Sequence, residues 1–180
     1  VSALSSANKI GPALSLTVKK GDVLDMSVYA YHESTNGFSG NTGISGMVQA
    51  VAGAFGGYSA GGEQQQFIYD AINDAITAMG LGGSNGDDEP AAYLSYILFD
   101  EAMNFVQGDN KAVTSAALFA HEQLKFENIT ISESGYLYVY VSNESSSSNI
   151  VYFDDMKVAH QAQVPEVTAS NHYYPFGLRM

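Results

Sequence analysis

Apolar and polar residues alternate in two neighbouring segments near the start of the chain. In the first segment the alternating apolar positions are Leu14, Leu16 and Val18. In the second segment they are Leu24, Met26, Val28 and Ala30. Alternation with a period of two residues is typical of half-buried strands, and glycine followed by aspartate is a turn signal. The pattern therefore predicts two strands around a turn at Gly21 and Asp22.

Helical spacing replaces this alternation between residues 42 and 80. Segment 42–62 contains no charged residue, and its larger apolar side chains form one helical stripe at Ile44, Met47, Val48, Val51, Phe55 and Tyr58. Its glycines and its shortage of Leu and Ile favour a surface or docking helix over a membrane span. Segment 63–80 predicts a second helix, because Ile72 and Ile76 share an apolar face and Gly80 stands where a helix C-cap is expected.

Short apolar runs separated by turn residues return after residue 90. The run at 91–100 is almost entirely apolar, as expected of a central strand. Further strands are predicted at 102–107, 125–131, 136–145 and 150–160. The pattern also predicts a turn at 108–111 and leaves 115–124 open between a helix and an irregular crossing. Many short strands with turn signals are typical of a β-sandwich, so the predicted fold is all-β with an inserted two-helix segment at about 42–80.

Composition and charge exclude several classes of function. The chain has 19 acidic and 7 basic residues, a formal net charge of -12, and no basic cluster longer than Lys19-Lys20. The basic surface that binds phosphates is missing, so we expect neither nucleic-acid binding nor attraction to an anionic membrane. The chain has no cysteine, which excludes disulfides and thiolate metal sites. With 46% hydrophobic and 14% charged residues it should fold.

The sequence offers no catalytic constellation, so we expect a non-enzymatic protein. Its four histidines are scattered, at His32, His121, His160 and His172. Gly-x-Ser-x-Gly occurs at 57–61 and 82–86, but neither match follows a predicted strand, as a nucleophile elbow requires. A phosphate-cradling loop and a two-histidine zinc helix are missing. The acidic stretch 87–89 lacks the alternating oxygen ligands of a calcium loop, and we interpret it as solvated charge.

Two groups of tyrosines are candidate ligand-binding residues. Tyr136, Tyr138 and Tyr140 alternate with aliphatic residues in one strand, and Tyr29 and Tyr31 do the same in another. If the aliphatic side chains form the core, the tyrosines form outer faces, where rings with hydroxyl rims suit sugar stacking. The alternative, which we favour, is that the inserted helices cover the tyrosines with Phe67, Ile68, Ile72 and Ile76.

Two stretches resemble parts of the sugar-binding, galactose-binding-like jelly roll. LTVKKGDVLDMSVYAY resembles its early hairpin, and SGYLYVYVSNESSSSNIVYFDDMKV resembles its closing hairpin. In such folds an aspartate of the last strand often helps to hold a structural Ca²⁺. The resemblance thus implies a calcium site at Asp154 and Asp155, with Asp22 or Asp25 as partner. Because side chains alternate, one of the paired aspartates should face inward or lie at a sheet edge. The alternative is that these carboxylates accept hydrogen bonds from backbone or lysine.

A second resemblance, to bacterial RHS/YD-repeat proteins, spans most of the chain. It is carried by segments 9–31, 88–100, 151–158 and 173–178, of which DEPAAYLSYILFD and YYPFGL are the specific parts. In that family YYPFGL opens the RHS core, which leads to a variable toxin or effector. The resemblance implies a non-enzymatic structural or interaction domain of a large secreted or cell-surface protein. Its partners would be the rest of the parent chain, a glycan or another surface protein. The implied bounds are a sandwich at 1–160, a linker at 161–171 and the start of the next module at 172–180.

Overall fold

Eight strands and one long helix are present among the residues that the computed structural model describes, which are 1–5, 9–33, 48, 51–52, 63–80, 89–145 and 150–161. The strands are β1 (Ser2–Leu4), β2 (Ile10–Val18), β3 (Val23–His32), β4 (Ala92–Asp100), β5 (Phe105–Ala112), β6 (Glu122–Thr130), β7 (Gly135–Asn143) and β8 (Val151–Gln161). The helix, α1, spans Glu63–Ala78. The strands form two four-stranded antiparallel sheets, which confirms the predicted β-sandwich.

We call β1-β8-β3-β6 the front sheet and β2-β7-β4-β5 the back sheet, in the order of their hydrogen-bonded strands. Their inner faces form one buried core, and the predicted alternation places the expected residues in it. Leu24, Met26, Val28 and Ala30 of β3 are all buried there. Leu137, Val139 and Val141 of β7 face them from the back sheet. The aliphatic positions of both strands thus point inward, and their tyrosines point outward.

Two segments that the sequence predicted as hairpins instead connect the two sheets. β2 pairs with β7, whereas β3 pairs with β6 and β8, so the turn at Gly21 carries the chain from the back sheet to the front sheet. β7 and β8 likewise belong to different sheets. Alternation records which face of a strand is buried and not which strand lies beside it. A hairpin and a sheet-crossing turn therefore look alike in the sequence.

The turn between β2 and β3 is hydrogen-bonded to the turn between β6 and β7 at one end of the sandwich. The Gly21 amide donates to the Ile131 carbonyl at 2.8 Å, and the Ile131 amide donates to the Asp22 carbonyl at 2.8 Å. The Lys20 amide donates to the Ser134 hydroxyl at 3.0 Å. Gly21 has a φ of 90°, a conformation that glycine adopts without strain. These bonds join the two sheets at this end.

The predicted turn at 108–111 is wrong, because those residues form the second half of β5. β5 is an edge strand that pairs with β4, with Gly108 opposite Ile97. The reversal lies earlier, where the Asp100 carboxylate accepts from the amides of Ala102 and Asn104 at 2.9 and 2.8 Å. β4 itself lies between β7 and β5 and is almost entirely buried, as predicted for a central strand. Segment 115–124, for which the sequence left the structure undecided, forms a 3-10 turn at Ser115–Ala117 and the start of β6.

The helix α1 confirms the second predicted helix and covers the outer face of the back sheet. Gly80 follows its end with a φ of 67°, as expected near a C-cap. Ile72, Ala75 and Ile76 of α1 form a second buried cluster with back-sheet residues such as Ile97 and Phe99. In the described part of the chain no helix is long and apolar enough to cross a membrane. The predicted linker begins at 161, but Gln161 is the last residue of β8. The rest of the linker, the tail 172–180, most of 42–62, and Asp87 and Asp88 lie outside the described residues.

Candidate functional site

The two predicted groups of tyrosines lie on opposite outer faces of the sandwich. Tyr136, Tyr138 and Tyr140 belong to β7 in the back sheet, and Tyr29 and Tyr31 belong to β3 in the front sheet. The structure therefore does not bring the five residues together into one surface.

On the back sheet the tyrosines are increasingly buried along the strand. Tyr140 is completely buried in the cluster that contains Ile72 and Ile76 of α1, and burial raises the pKa of its hydroxyl. Tyr138 is half-buried, with its ring 5.6 Å from the Phe99 ring. Tyr136 is 40% exposed. One end of this tyrosine row is therefore buried in a cluster that includes Ile72 and Ile76, two of the residues named in the covering alternative; the side chains of Phe67 and Ile68 lie outside the described residues.

On the front sheet the tyrosines border an open cleft of about 230 Å³, which we call the front cleft. Its lining residues are Val1, Tyr29, Tyr31, Glu33, His121, Tyr152 and Asp154. Tyr29 and Tyr31 are on β3 and Tyr152 and Asp154 are on β8, so most of the cleft is built on two adjacent strands. It joins two of the predicted ligand-binding tyrosines with one of the predicted metal ligands.

The aromatic rings of the front cleft are held at fixed positions by strand pairing. Tyr31 lies opposite Tyr152 in the register of β3 and β8, with ring centroids 6.1 Å apart and planes at 52°. The Tyr31 ring also lies 5.5 Å from the His121 ring, at 34°. Tyr29, two residues before Tyr31 on the same face of β3, is 36% exposed. The rings are tilted against one another and form the apolar part of the cleft.

Two carboxylates give the cleft its charge. The Tyr31 hydroxyl donates to Glu33 Oε1 at 2.9 Å, and this hydrogen bond to the carboxylate raises the pKa of Tyr31. The Asp155 amide donates to Asp154 Oδ1 at 2.9 Å, and this hydrogen bond lowers the pKa of the Asp154 carboxyl. Asp154 is therefore ionised at neutral pH. The Val1 amino group lies 3.4 Å from the same oxygen.

A β-bulge explains why both Asp154 and Asp155 are exposed. Ser27 lies opposite Lys157 and Tyr29 lies opposite Asp154, so β8 has one residue more than β3 between these pairs. Asp155 takes up the extra residue with a φ of 51°. β1 pairs with β8 only at Val151–Phe153, so within the described residues β8 has a single neighbouring strand from Asp154 onward. The position at a sheet edge, one of the two expected arrangements, is the one observed.

The structure does not bring Asp22 or Asp25 close to this aspartate pair. Asp25 lies opposite Ala159, four residues along β8 from Asp155, which corresponds to about 13 Å. Asp22 lies seven residues before Tyr29, the partner of Asp154, which corresponds to about 23 Å. Calcium binds its oxygen ligands at about 2.3–2.6 Å, so one ion cannot contact both ends of the strand. The described part of the chain also contains no cluster of three or more His, Asp or Glu able to hold a metal.

Asp22 and Asp25 instead accept hydrogen bonds from nearby backbone and side-chain groups. Asp22 accepts from the Lys19 amide at 2.8 Å and lies 3.2 Å from His160 Nε2. The Lys19 amide is the main cause of the lowered pKa of Asp22. Asp25 accepts from the Asn128 amide at 2.7 Å and from Gln161 Nε2 at 2.9 Å. These contacts connect β3 to β6 and to the end of β8.

Four lining residues of the front cleft were not predicted as site residues from the sequence: Val1, Glu33, His121 and Tyr152. Tyr152 stands in the apolar run at the start of β8, where its outward orientation depends on the register. Glu33 and His121 lie just outside strands β3 and β6, where no periodic pattern assigns a face. The sequence did offer a signal for Tyr152: if Phe153 is assigned to the core, its neighbour Tyr152 must face outward. The structure confirms that Phe153 is buried in the core.

Comparisons with protein-family models, with curated proteins and with solved structures found no match. The functional argument therefore depends on the chemistry of the front cleft. The cleft is lined by three tyrosine rings, one imidazole, two carboxylates and Val1.

Proposed function

We propose that this chain is a non-enzymatic interaction domain of a large secreted or cell-surface bacterial protein of the RHS type, and that the front cleft is its contact surface. The resemblance of the sequence segments to RHS/YD-repeat proteins supports the parent class. The observation that carries the contact surface is the difference between the two outer faces. On the back sheet Tyr140 is buried in the cluster that includes residues of α1, and Tyr136 borders no cleft of this kind among the described residues, whereas on the front sheet the exposed Tyr29 borders an open cleft with two further tyrosines.

Exposed tyrosines on a rigid sheet are well suited to binding a partner. A tyrosine offers a large apolar ring and a polar hydroxyl, and it loses little conformational entropy on binding. Tyr29, Tyr31 and Tyr152 are positioned by the pairing of β3 with β8, so a partner would not have to order them. Pre-organisation of this kind lowers the free-energy cost of association. The cleft therefore resembles the aromatic centre of a protein interface more than an ordinary polar surface.

A photo-crosslinking experiment in the full-length parent protein tests this function. The photoreactive residue p-benzoylphenylalanine replaces Tyr29 in one variant and Tyr136 in a control variant. Tyr136 is a suitable control because it is 40% exposed and belongs to the back sheet. After irradiation, mass spectrometry identifies crosslinks to residues outside this 180-residue chain. We expect such crosslinks from position 29 and few from position 136. Equal crosslinking from both positions, or none from position 29, would contradict the proposal.

A carbohydrate-binding module is the second candidate, and the exposed rings of the front cleft favour it. Sugars stack on aromatic rings, and Tyr29 and Tyr31 were predicted as ligand-binding residues on that basis. A glycan array tests this candidate with the wild-type chain and with the Tyr29→Ala and Tyr136→Ala variants. The sugar function predicts glycan hits that Tyr29→Ala removes and Tyr136→Ala retains. An array without hits would reject it.

A further inference from the structure

We propose that the front cleft recognises a cationic group, the ammonium or guanidinium of a lysine or arginine side chain presented by a partner protein. This inference rests on the proposed function and names the chemistry of its partner. Three observations carry it: the arrangement of the aromatic rings, the two carboxylates beside them, and the charge of the surrounding chain.

The aromatic rings provide the apolar and electrostatic part of such a site. The face of a tyrosine ring attracts a cation within about 6 Å of its centroid. Tyr31 and Tyr152 have centroids 6.1 Å apart, and Tyr29 lines the same cleft, so a single headgroup can contact more than one ring. The volume of about 230 Å³ also leaves room for the methylene stem of a long side chain.

The carboxylates favour a cation over a neutral ligand. Glu33 and Asp154 both line the cleft, and covering an ionised carboxylate with a neutral molecule costs free energy unless hydrogen bonds replace the lost water. A guanidinium or ammonium replaces that water with charge-assisted hydrogen bonds. The Tyr31 hydroxyl already donates its proton to Glu33, so it can only accept a hydrogen bond from a ligand.

The charges of the rest of the chain also favour a cationic ligand. The chain carries a formal net charge of -12, which attracts cationic partners over a distance set by the salt concentration. The two lysines on the front sheet each form an ion pair with a carboxylate outside the cleft. Lys125 Nζ lies 2.9 Å from Glu127 Oε1, and Lys157 Nζ lies 4.0 Å from Asp155 Oδ2. These two lysines are therefore paired with carboxylates other than Glu33 and Asp154.

Two matched peptides separate charge from shape. The probes are acetyl-Gly-Arg-Gly-amide and acetyl-Gly-citrulline-Gly-amide, which differ in that citrulline is a neutral analogue of arginine. Binding to the chain, acetylated at Val1 to remove its competing ammonium, is followed by NMR shifts at low salt. We expect the arginine peptide to bind at least several-fold more tightly than the citrulline peptide, and this difference to shrink as salt is added. Equal affinity of the two peptides would overturn the inference.

Matched variants locate the binding at the front cleft. Asp154→Asn and Tyr29→Leu should each weaken the arginine peptide roughly threefold to thirtyfold, the range expected for losing a cation contact of this kind. Asp155→Asn and Tyr136→Leu should leave its affinity unchanged, because Asp155 and Tyr136 are exposed but do not line the cleft. If Tyr29→Leu does not fold, the comparison of Asp154→Asn with its control Asp155→Asn still decides whether the peptide binds at the front cleft. An equal loss in Asp155→Asn would count against the site.

The outcome also separates this inference from the proposed function. If neither peptide binds while position 29 crosslinks to a partner, the interaction domain stands and the cationic ligand is rejected. If the arginine peptide binds at the cleft while position 29 fails to crosslink, the cation site stands and the interaction role in the parent protein is rejected. Binding of a neutral glycan at the cleft without binding of the arginine peptide would likewise reject the cationic ligand.

Discussion

Tyr29 and Asp154 lie directly opposite each other on strands β3 and β8, and both line the front cleft. This pairing depends on the bulge at Asp155. On one side of the bulge Val151 and Phe153 face the core, and on the other side Met156 and Val158 pack against it. The bulge shifts the alternation by one residue, so that both aspartates point outward while the apolar residues on either side stay inward. The cleft therefore depends on a local irregularity of β8.

The backbone conformation at Asp155 leads to a first prediction. Asp155 has a φ of 51°, which glycine adopts freely and a β-branched residue adopts only with strain. We expect Asp155→Val to reduce the free energy of unfolding by about 1–2 kcal/mol and Asp155→Gly to leave it nearly unchanged. Urea unfolding of the two variants measures the difference. Equal stability of the valine and glycine variants would show that the bulge is not formed in solution.

Helix α1 should contribute to the stability of the whole domain. Ile76 is completely buried between α1 and the back sheet, so Ile76→Ala leaves a cavity and should cost about 2–5 kcal/mol. Asp74→Ala, on the exposed side of the same helix, is the control and should change stability by less than about 0.5 kcal/mol. Thermal or urea unfolding checks both values. Similar small effects of the two variants would mean that α1 does not cover the back sheet.

Gly135 is required by the close approach of β7 to β4. A Cβ atom at this position would collide with the carbonyl oxygen of Phe99, a main-chain atom that cannot move aside without disturbing the central strand. Gly135→Ala should therefore destabilise the domain by at least about 2 kcal/mol. Gly80→Ala is a useful comparison, because Gly80 has open space around it and only its positive φ opposes a side chain. We expect that variant to lose about 1 kcal/mol in the same unfolding assay.

Acid should destabilise the contact of Asp25 with β6 and β8. The Asn128 amide, followed by the Gln161 side chain, lowers the pKa of Asp25 below its unfolded value, which is near 3.9. A depressed pKa in the folded state contributes stability that is present above the unfolded pKa and is lost as the pH falls through the folded pKa. The wild-type domain should therefore lose stability below about pH 4, and Asp25→Asn should lose less. Urea unfolding at pH 7 and pH 3 measures this, with Asp74→Asn as the control. An identical loss in Asp25→Asn and wild type would exclude this contribution.

The sequence predicts the strands and the core well, but not the neighbours of each strand. The alternation of Leu24, Met26 and Val28 depends on burial alone, so it identified the inner face of β3 and gave no information on whether β2 lies beside it. The turn signal at 108–111 failed for a related reason, because pairing with β4 outweighs the local preference of Gly108 and Asn110. Helix α1 was predicted because its stripe and Gly80 are both local features.

The front cleft was only half predictable. Tyr29 and Tyr31 were selected because they alternate with core residues, and Asp154 because a carboxylate is unusual in an apolar strand. Their association depends on the register of β3 with β8, which the sequence does not encode locally. The bulge is visible in the sequence, because the inward-facing apolar residues Phe153 and Met156 are three residues apart, whereas those of a regular strand are two apart. Glu33 and His121 join the cleft only through the tertiary fold.

The central claim is that the front cleft, and not the tyrosine row of the back sheet, contacts a partner. NMR of the tyrosine rings tests this most directly, with acetyl-Gly-Arg-Gly-amide added stepwise to a protein carrying ¹³C-labelled tyrosine. We predict saturable shifts of the Tyr29, Tyr31 and Tyr152 ring signals with a common affinity, and an unchanged Tyr136 signal. Shifts of Tyr136 as large as those of Tyr29, or no shift of any cleft ring, would contradict the account.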